Sequence, residues 1–96
     1  METLFERVGA LDVHKARVTA AVRVPGSGGG REQHLAEYAT TVPGLMALHD
    51  WLLWHGVRHV AMEATGVYWQ PVWHVLEDEF ELTLCNARHV KQVALV

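Results

Sequence analysis

The hydrophobic repeat of this chain first changes near residue 40, and the change limits the architectures open to it. Before that point apolar residues recur every second position. Val18, Ala20, Val22 and Val24 face one way and Arg17, Thr19 and Arg23 the other, which is the period of a strand. Arg7 to His14 alternates too, with Val8, Ala10 and Asp12 on one face and Gly9, Leu11 and Val13 on the other. Both faces are mostly apolar, as expected of a central strand covered on two sides. After Thr41 the spacing becomes helical: Leu45, Leu48 and Leu52 recur at intervals of three and four, the stripe of a helix packed on a core.

The rest of the chain follows from local signals. His14–Ala16 is short enough for a tight hairpin. Pro25 to Gly30 predicts a flexible loop, and a third antiparallel strand follows at His34 to Thr40 with Ala36 and Tyr38 on one face. That loop lacks the Lys-Ser/Thr ending and the following helix of a phosphate cradle. Thr40 or Thr41 caps the first helix, Pro43 fits its first turn and Gly56 ends it. Trp51 and Trp54 are expected to widen its apolar face, and His49 and His55 to lie on its polar face. Val60, Ala61 and Met62 read as a short buried strand with Glu63 at its C-terminal end, where open α/β sheets carry their ligand-handling groups. A second helix is expected within Thr65 to Asp78, with Trp69, Val72, Trp73 and Leu76 buried. A fifth strand, Phe80 to Cys85, turns Phe80, Leu82 and Leu84 inward, and Asn86 caps a last helix over residues 87–93. The acidic run from Glu77 to Glu81 is read as a solvated helix end.

Three antiparallel strands followed by alternating helices and strands make a mixed α/β sheet in one small domain. Right-handed crossovers would set strand four beside strand one. Asp12 and Glu63 would then share one crevice.

Composition excludes several functions. Eleven acidic and eight basic residues give a net charge of −3, so bulk charge offers nucleic acid no attraction. Cys85 is the only cysteine. That rules out an internal disulfide, fits a reducing cytosol and suggests a core residue. Met1–Arg7 has no apolar run, so no secretory signal is expected, and no stretch approaches a membrane span. A cytoplasmic location is expected. His55 and His59 straddle a helix end and need not converge, so a zinc site is not expected there.

Four blocks together resemble one family. Leu11-Asp12-Val13-His14-Lys15, Thr41-Val42-Pro43-Gly44-Leu45, Val60-Ala61-Met62-Glu63-Ala64-Thr65-Gly66-Val67-Tyr68-Trp69 and Asn86-Ala87-Arg88-His89-Val90-Lys91 are similar, in order and spacing, to the DEDD transposases of the "one-ten" insertion sequences. Their N-terminal domain is RuvC-like, a branch of the ribonuclease-H-like fold. The resemblance implies that Asp12 and Glu63 are the first two of four catalytic, Mg²⁺-holding acids, with Asp12 bridging two ions and Glu63 holding one. It implies DNA as substrate, a guide RNA encoded by the element, and homo-oligomers in the full-length family. Lys15, Arg17, Arg88, His89 and Lys91 would approach nucleic-acid phosphates.

The two later acids are not matched, because no Asp follows Asp78 and the chain reads Gln92-Val93-Ala94-Leu95-Val96 instead. The expectation is a partial RuvC-like domain over residues 1–96, with a flexible glycine-rich hairpin loop at 25–32, inactive by itself. A non-catalytic domain that binds nucleic acid or self-associates is the alternative. One lobe of an actin-like ATPase is disfavoured, because Val13, His14 and Lys15 replace the glycine-rich turn that would admit phosphates.

Overall fold

A computed structural model describes residues 7–85. In chain order these form β1 (Val8–Val13), β2 (Arg17–Pro25), β3 (Arg31–Ala39), α1 (Val42–Trp54), β4 (His59–Ala64), α2 (Trp69–Leu76) and β5 (Glu81–Cys85). The five strands make one sheet in the order β3-β2-β1-β4-β5. β1 runs antiparallel to β2, and β2 to β3, whereas β4 lies parallel to β1 on its other side and β5 parallel to β4. This is the sheet the repeat pattern predicts, with β4 beside β1. The helix expected after Asn86 lies outside the described residues.

The core sits between one face of the sheet and the two helices. Leu11 and Val13 of β1, Val18, Ala20, Val22 and Val24 of β2, and Val60 and Met62 of β4 are buried against Leu45, Leu48 and Leu52 of α1 and Val72 and Leu76 of α2. The opposite face of β1 is open among the described residues: Ala10 and Asp12 are exposed. The expectation of a strand covered on two sides is therefore corrected for this part of the chain. Small side chains, not buried ones, account for the low polarity of that face.

α1 is fixed at both ends by its sequence. Thr41 is extended, and its hydroxyl accepts a hydrogen bond from the Gly44 amide at 3.1 Å. At the other end the Gly56 amide donates to Leu53 O at 2.9 Å and the Val57 amide to Leu52 O at 3.1 Å. That is the paired closure of a left-handed cap, and Gly56 supplies its φ of 71°. Val57 is then carried into the core. Thr41→Ala removes the cap bond and is expected to cost about 1 kcal/mol of stability, read as a lower urea midpoint at unchanged slope.

Several side chains differ from expectation. Trp54 is 83% exposed, because only the stripe through Leu45, Leu48 and Leu52 faces the sheet, and Trp51 alone packs inward, against Tyr38 at 6.0 Å. Leu84 is exposed because β5 is an edge strand with no described neighbour beyond it. His49 is not a solvated residue. Its ring lies edge-on to Phe80, and its two nitrogens sit 3.1 Å from Asp50 Oδ1 and from Glu79 Oε1. His55 stacks on His34 at 4.8 Å and meets Trp51 edge-on at 4.9 Å.

Burial, then the neighbouring His34 and Arg7, hold the His55 pKa below its ordinary value of 6.5. Protonation is thus harder in the folded state. This contribution to stability is full above pH 6.5 and is lost as pH falls through the lowered folded value. Urea unfolding from pH 7.5 to 5 should show that loss, and His55→Gln should flatten it.

Candidate acidic site on the open sheet face

Asp12 is carried by β1 and Glu63 by β4, and the parallel ladder pairs the two in register. Paired residues on adjacent strands point to the same side, about 4.8 Å apart along the hydrogen-bonding direction. Leu11, Val13 and Met62 occupy the buried side, so Asp12 and Glu63 must take the other. Apolar alternation on either side of each acid thus turns both carboxylates onto the open face. Asp12 is exposed and Glu63 half-buried.

The same register extends across the sheet as a row: Glu37, Thr19, Asp12, Glu63, Cys85. Glu37 is a third carboxylate, but it stands two strands from Asp12, roughly 10 Å away at ordinary strand spacing. Arg17 Nε approaches its Oε2 at 3.8 Å, and the Thr19 hydroxyl reaches the same oxygen at 3.4 Å. Glu37 is committed to those partners. Cys85 lies beside Glu63 on the open face and is half-exposed, which corrects its expected place in the core. His14 was not singled out from the sequence. Its Nε2 stands 3.1 Å from Asp12 Oδ2, a contact available because residues two apart on an extended chain share a side.

Lys15 is exposed in the turn that follows Asp12, and its backbone carbonyl accepts from the Thr40 hydroxyl at 2.8 Å. Arg17 opens β2 and is exposed, with Glu37 as its ion-pair partner. Both cations flank the acidic end of the sheet. Arg88, His89 and Lys91 lie outside the described residues.

Two hard carboxylates on adjacent strands fit one face of a Mg²⁺ ion, which is commonly held by one or two carboxylates together with water and substrate phosphate. Among the described residues no group of three or more His, Cys, Asp or Glu side chains converges as a metal cage.

A mixed five-stranded sheet in this order, with helices on one face and acids at the ends of its first and fourth strands, defines a ribonuclease-H-like domain. The chain belongs to the DEDD transposase family of the one-ten insertion-sequence type, whose model, described as "Transposase", matches residues 9–95. Among solved structures it is similar to the fowlpox virus Holliday junction resolvase, with a TM-score of 0.60 at 8% identity over 93% of this chain and 70% of that one. An exopolyphosphatase from Cytophaga hutchinsonii matches with a TM-score of 0.55 at 13% identity, over 85% of this chain and 35% of that one. A Ppx/GppA family member from Aquifex aeolicus matches with a TM-score of 0.51 at 9% identity, over 84% and 35% respectively. At such identities the likeness is one of fold. The chain spans about a third of the length of the last two proteins. Among curated proteins no match to the chain is found. No described helix is long and apolar enough to cross a membrane.

Proposed function

We propose that this domain is the N-terminal catalytic part of a transposase that cuts and joins DNA strands with the help of divalent cations, and that Asp12 and Glu63 are two of its metal-holding acids. The observation that carries the reading is the in-register pairing of the two carboxylates on the open face. When bound, Mg²⁺ would supply the positive charge that offsets the charge developing on the attacking and leaving oxygens of a phosphodiester. The protein's own part is to fix where that charge sits. Asp12 on β1 and Glu63 on the neighbouring β4 would hold a divalent cation through their carboxylates. Lys15 and Arg17 draw the phosphate backbone toward the acids, and Arg88, His89 and Lys91 are further candidates for phosphate contact. DNA is the substrate. A guide RNA and further copies of the transposase are its expected partners, in the cytoplasm.

The chain carries no Asp or Glu after Glu81. With the two later acids of the family pattern unmatched, the isolated chain is expected not to cleave DNA. Mg²⁺-dependent nuclease activity in the purified chain would contradict this. DNA contact by the isolated chain should be weak and should fall steeply between 50 and 200 mM salt, as counterion release requires. The function itself is tested in a complete transposase containing this domain. Strand cleavage at the element ends should require Mg²⁺ or Mn²⁺ and stop with chelator. Cleavage that persists in chelator would remove the reading.

A further inference from the structure

Asp12 and Glu63 are held differently. Glu63 is half-buried, and its neighbours restrict the rotamers open to it. The Asp12 side chain is 56% exposed on the open face, where packing does not fix its rotamer. A carboxylate that samples several orientations meets a cation in the productive one only part of the time. An exposed metal-holding acid therefore needs a polar partner to orient it. Arg17 is turned to Glu37, 3.8 Å away. His14 is the group that reaches Asp12, with Nε2 3.1 Å from Oδ2.

The backbone beneath that contact is pinned. The His14 amide donates to Arg17 O at 2.9 Å, one step beyond the Asp12–Thr19 and Val13–Val18 pairs of the β1–β2 ladder. His14 thus continues the line of β1, two residues from Asp12 and on the same side. The turn after it is tied to the end of β3. There Thr40 donates through its hydroxyl to Lys15 O at 2.8 Å and through its amide to Ala16 O at 3.2 Å. An ionised carboxylate can only accept hydrogen bonds, so Nε2 carries the proton in the contact with Asp12. That holds whether or not Nδ1 is protonated as well, and the contact does not depend on the charge of the ring.

We infer that His14 is a positioning residue: its Nε2–H holds Oδ2 of Asp12 and fixes the carboxylate, so that Asp12 meets a divalent cation in one orientation. The inference rests on the reading of Asp12 and Glu63 as metal-holding acids, and it adds the group that orients the first of them. His14 is not itself a ligand, because the nitrogen that faces the carboxylate carries a proton and has no lone pair to offer a cation. Hydrogen bonds that orient a metal ligand are worth about ten- to a hundredfold in metal affinity. Both partners here are more than half exposed, which puts His14 at the lower end of that range.

Mn²⁺ titration of the 96-residue chain, followed by paramagnetic broadening of the amide signals of residues 12 and 63, tests it. His14→Ala should weaken Mn²⁺ binding about tenfold. His14→Gln should bring it back to within about threefold of the parent, because the glutamine amide nitrogen stands as many bonds from Cα as Nε2 does. His14→Asn, whose amide nitrogen matches Nδ1 and falls short of Oδ2, should bind as weakly as His14→Ala. In an Asp12→Asn background His14→Ala should change nothing further, since the two side chains act as a unit. Circular dichroism confirms that each variant is folded, and a loss of stability alone would not divide Gln from Asn in this way. Parental broadening at residues 12 and 63 that His14→Ala leaves unchanged or strengthens, or an Asn variant that restores binding as well as Gln does, overturns the inference and leaves the metal-site reading standing. A parent chain without broadening at those residues removes both.

Discussion

Gly44→Ala should remove about 3 kcal/mol of this domain's stability. A Cβ at position 44 would be driven onto the Ala39 carbonyl oxygen, closer than nonbonded atoms can approach, and would also crowd the Ala39 carbonyl carbon at 2.9 Å and amide nitrogen at 3.1 Å. All three are backbone atoms at the end of β3, so no side-chain rotation relieves them. Relief requires the first turn of α1 to lift away from the strand that feeds it. That movement would break the Thr41 cap and tilt Leu45 and Leu48 out of the core. Overpacking of this kind costs about 3 kcal/mol, against a total stability of roughly 5–15 kcal/mol for a domain of this size. Urea unfolding should show a midpoint lowered by between about a fifth and three fifths at unchanged slope. A midpoint within error of the parent would mean that the approach of helix to strand is looser than the structure has it.

Asp12→Asn is expected to reduce strand cleavage by a complete transposase on the order of a thousandfold or more, equivalent to about 4 kcal/mol of transition-state stabilisation. Asparagine keeps the shape of the side chain but loses the negative charge, and it can turn an amide donor toward the place a cation should occupy. The fold should not suffer. Asp12 is exposed, and its one described partner is His14, so stability should change by no more than about 0.5 kcal/mol. Intact folding and intact DNA binding with lost cleavage is the pattern that separates a metal-holding acid from a structural one. Glu63→Gln should behave alike, although half-burial makes its effect on stability larger. Cleavage at parental rates with Asn at 12 would remove Asp12 from the site.

The sheet was legible because its signals are local and agree. Period-two alternation gave β1, β2 and β3, a single helical stripe gave α1, and the handedness of crossovers set β4 beside β1. The acid pair was legible for the same reason. Once two strands are neighbours and each acid interrupts an apolar alternation, the faces follow without further information. What was not legible depends on neighbours that no short stretch encodes. Trp54 reads as core from its hydrophobicity, yet it lies off the stripe facing the sheet. Leu84 alternates correctly but sits on an edge. His49 and His55 read as surface polar groups, and each is instead held in contacts that span about twenty to thirty residues of sequence. His14 escaped notice because its importance comes only from standing beside Asp12.

The central claim is that Asp12 and Glu63 hold one divalent cation between neighbouring parallel strands. Mn²⁺ titrated into the isotopically labelled chain tests it by paramagnetic broadening of backbone amide signals. The account predicts broadening centred on residues 12 and 63, spreading to Thr19 and Cys85 in the same row, and absent from the Asp12→Asn/Glu63→Gln double variant. Broadening centred on the Glu77–Glu81 acidic turn, or unchanged in the double variant, would contradict it.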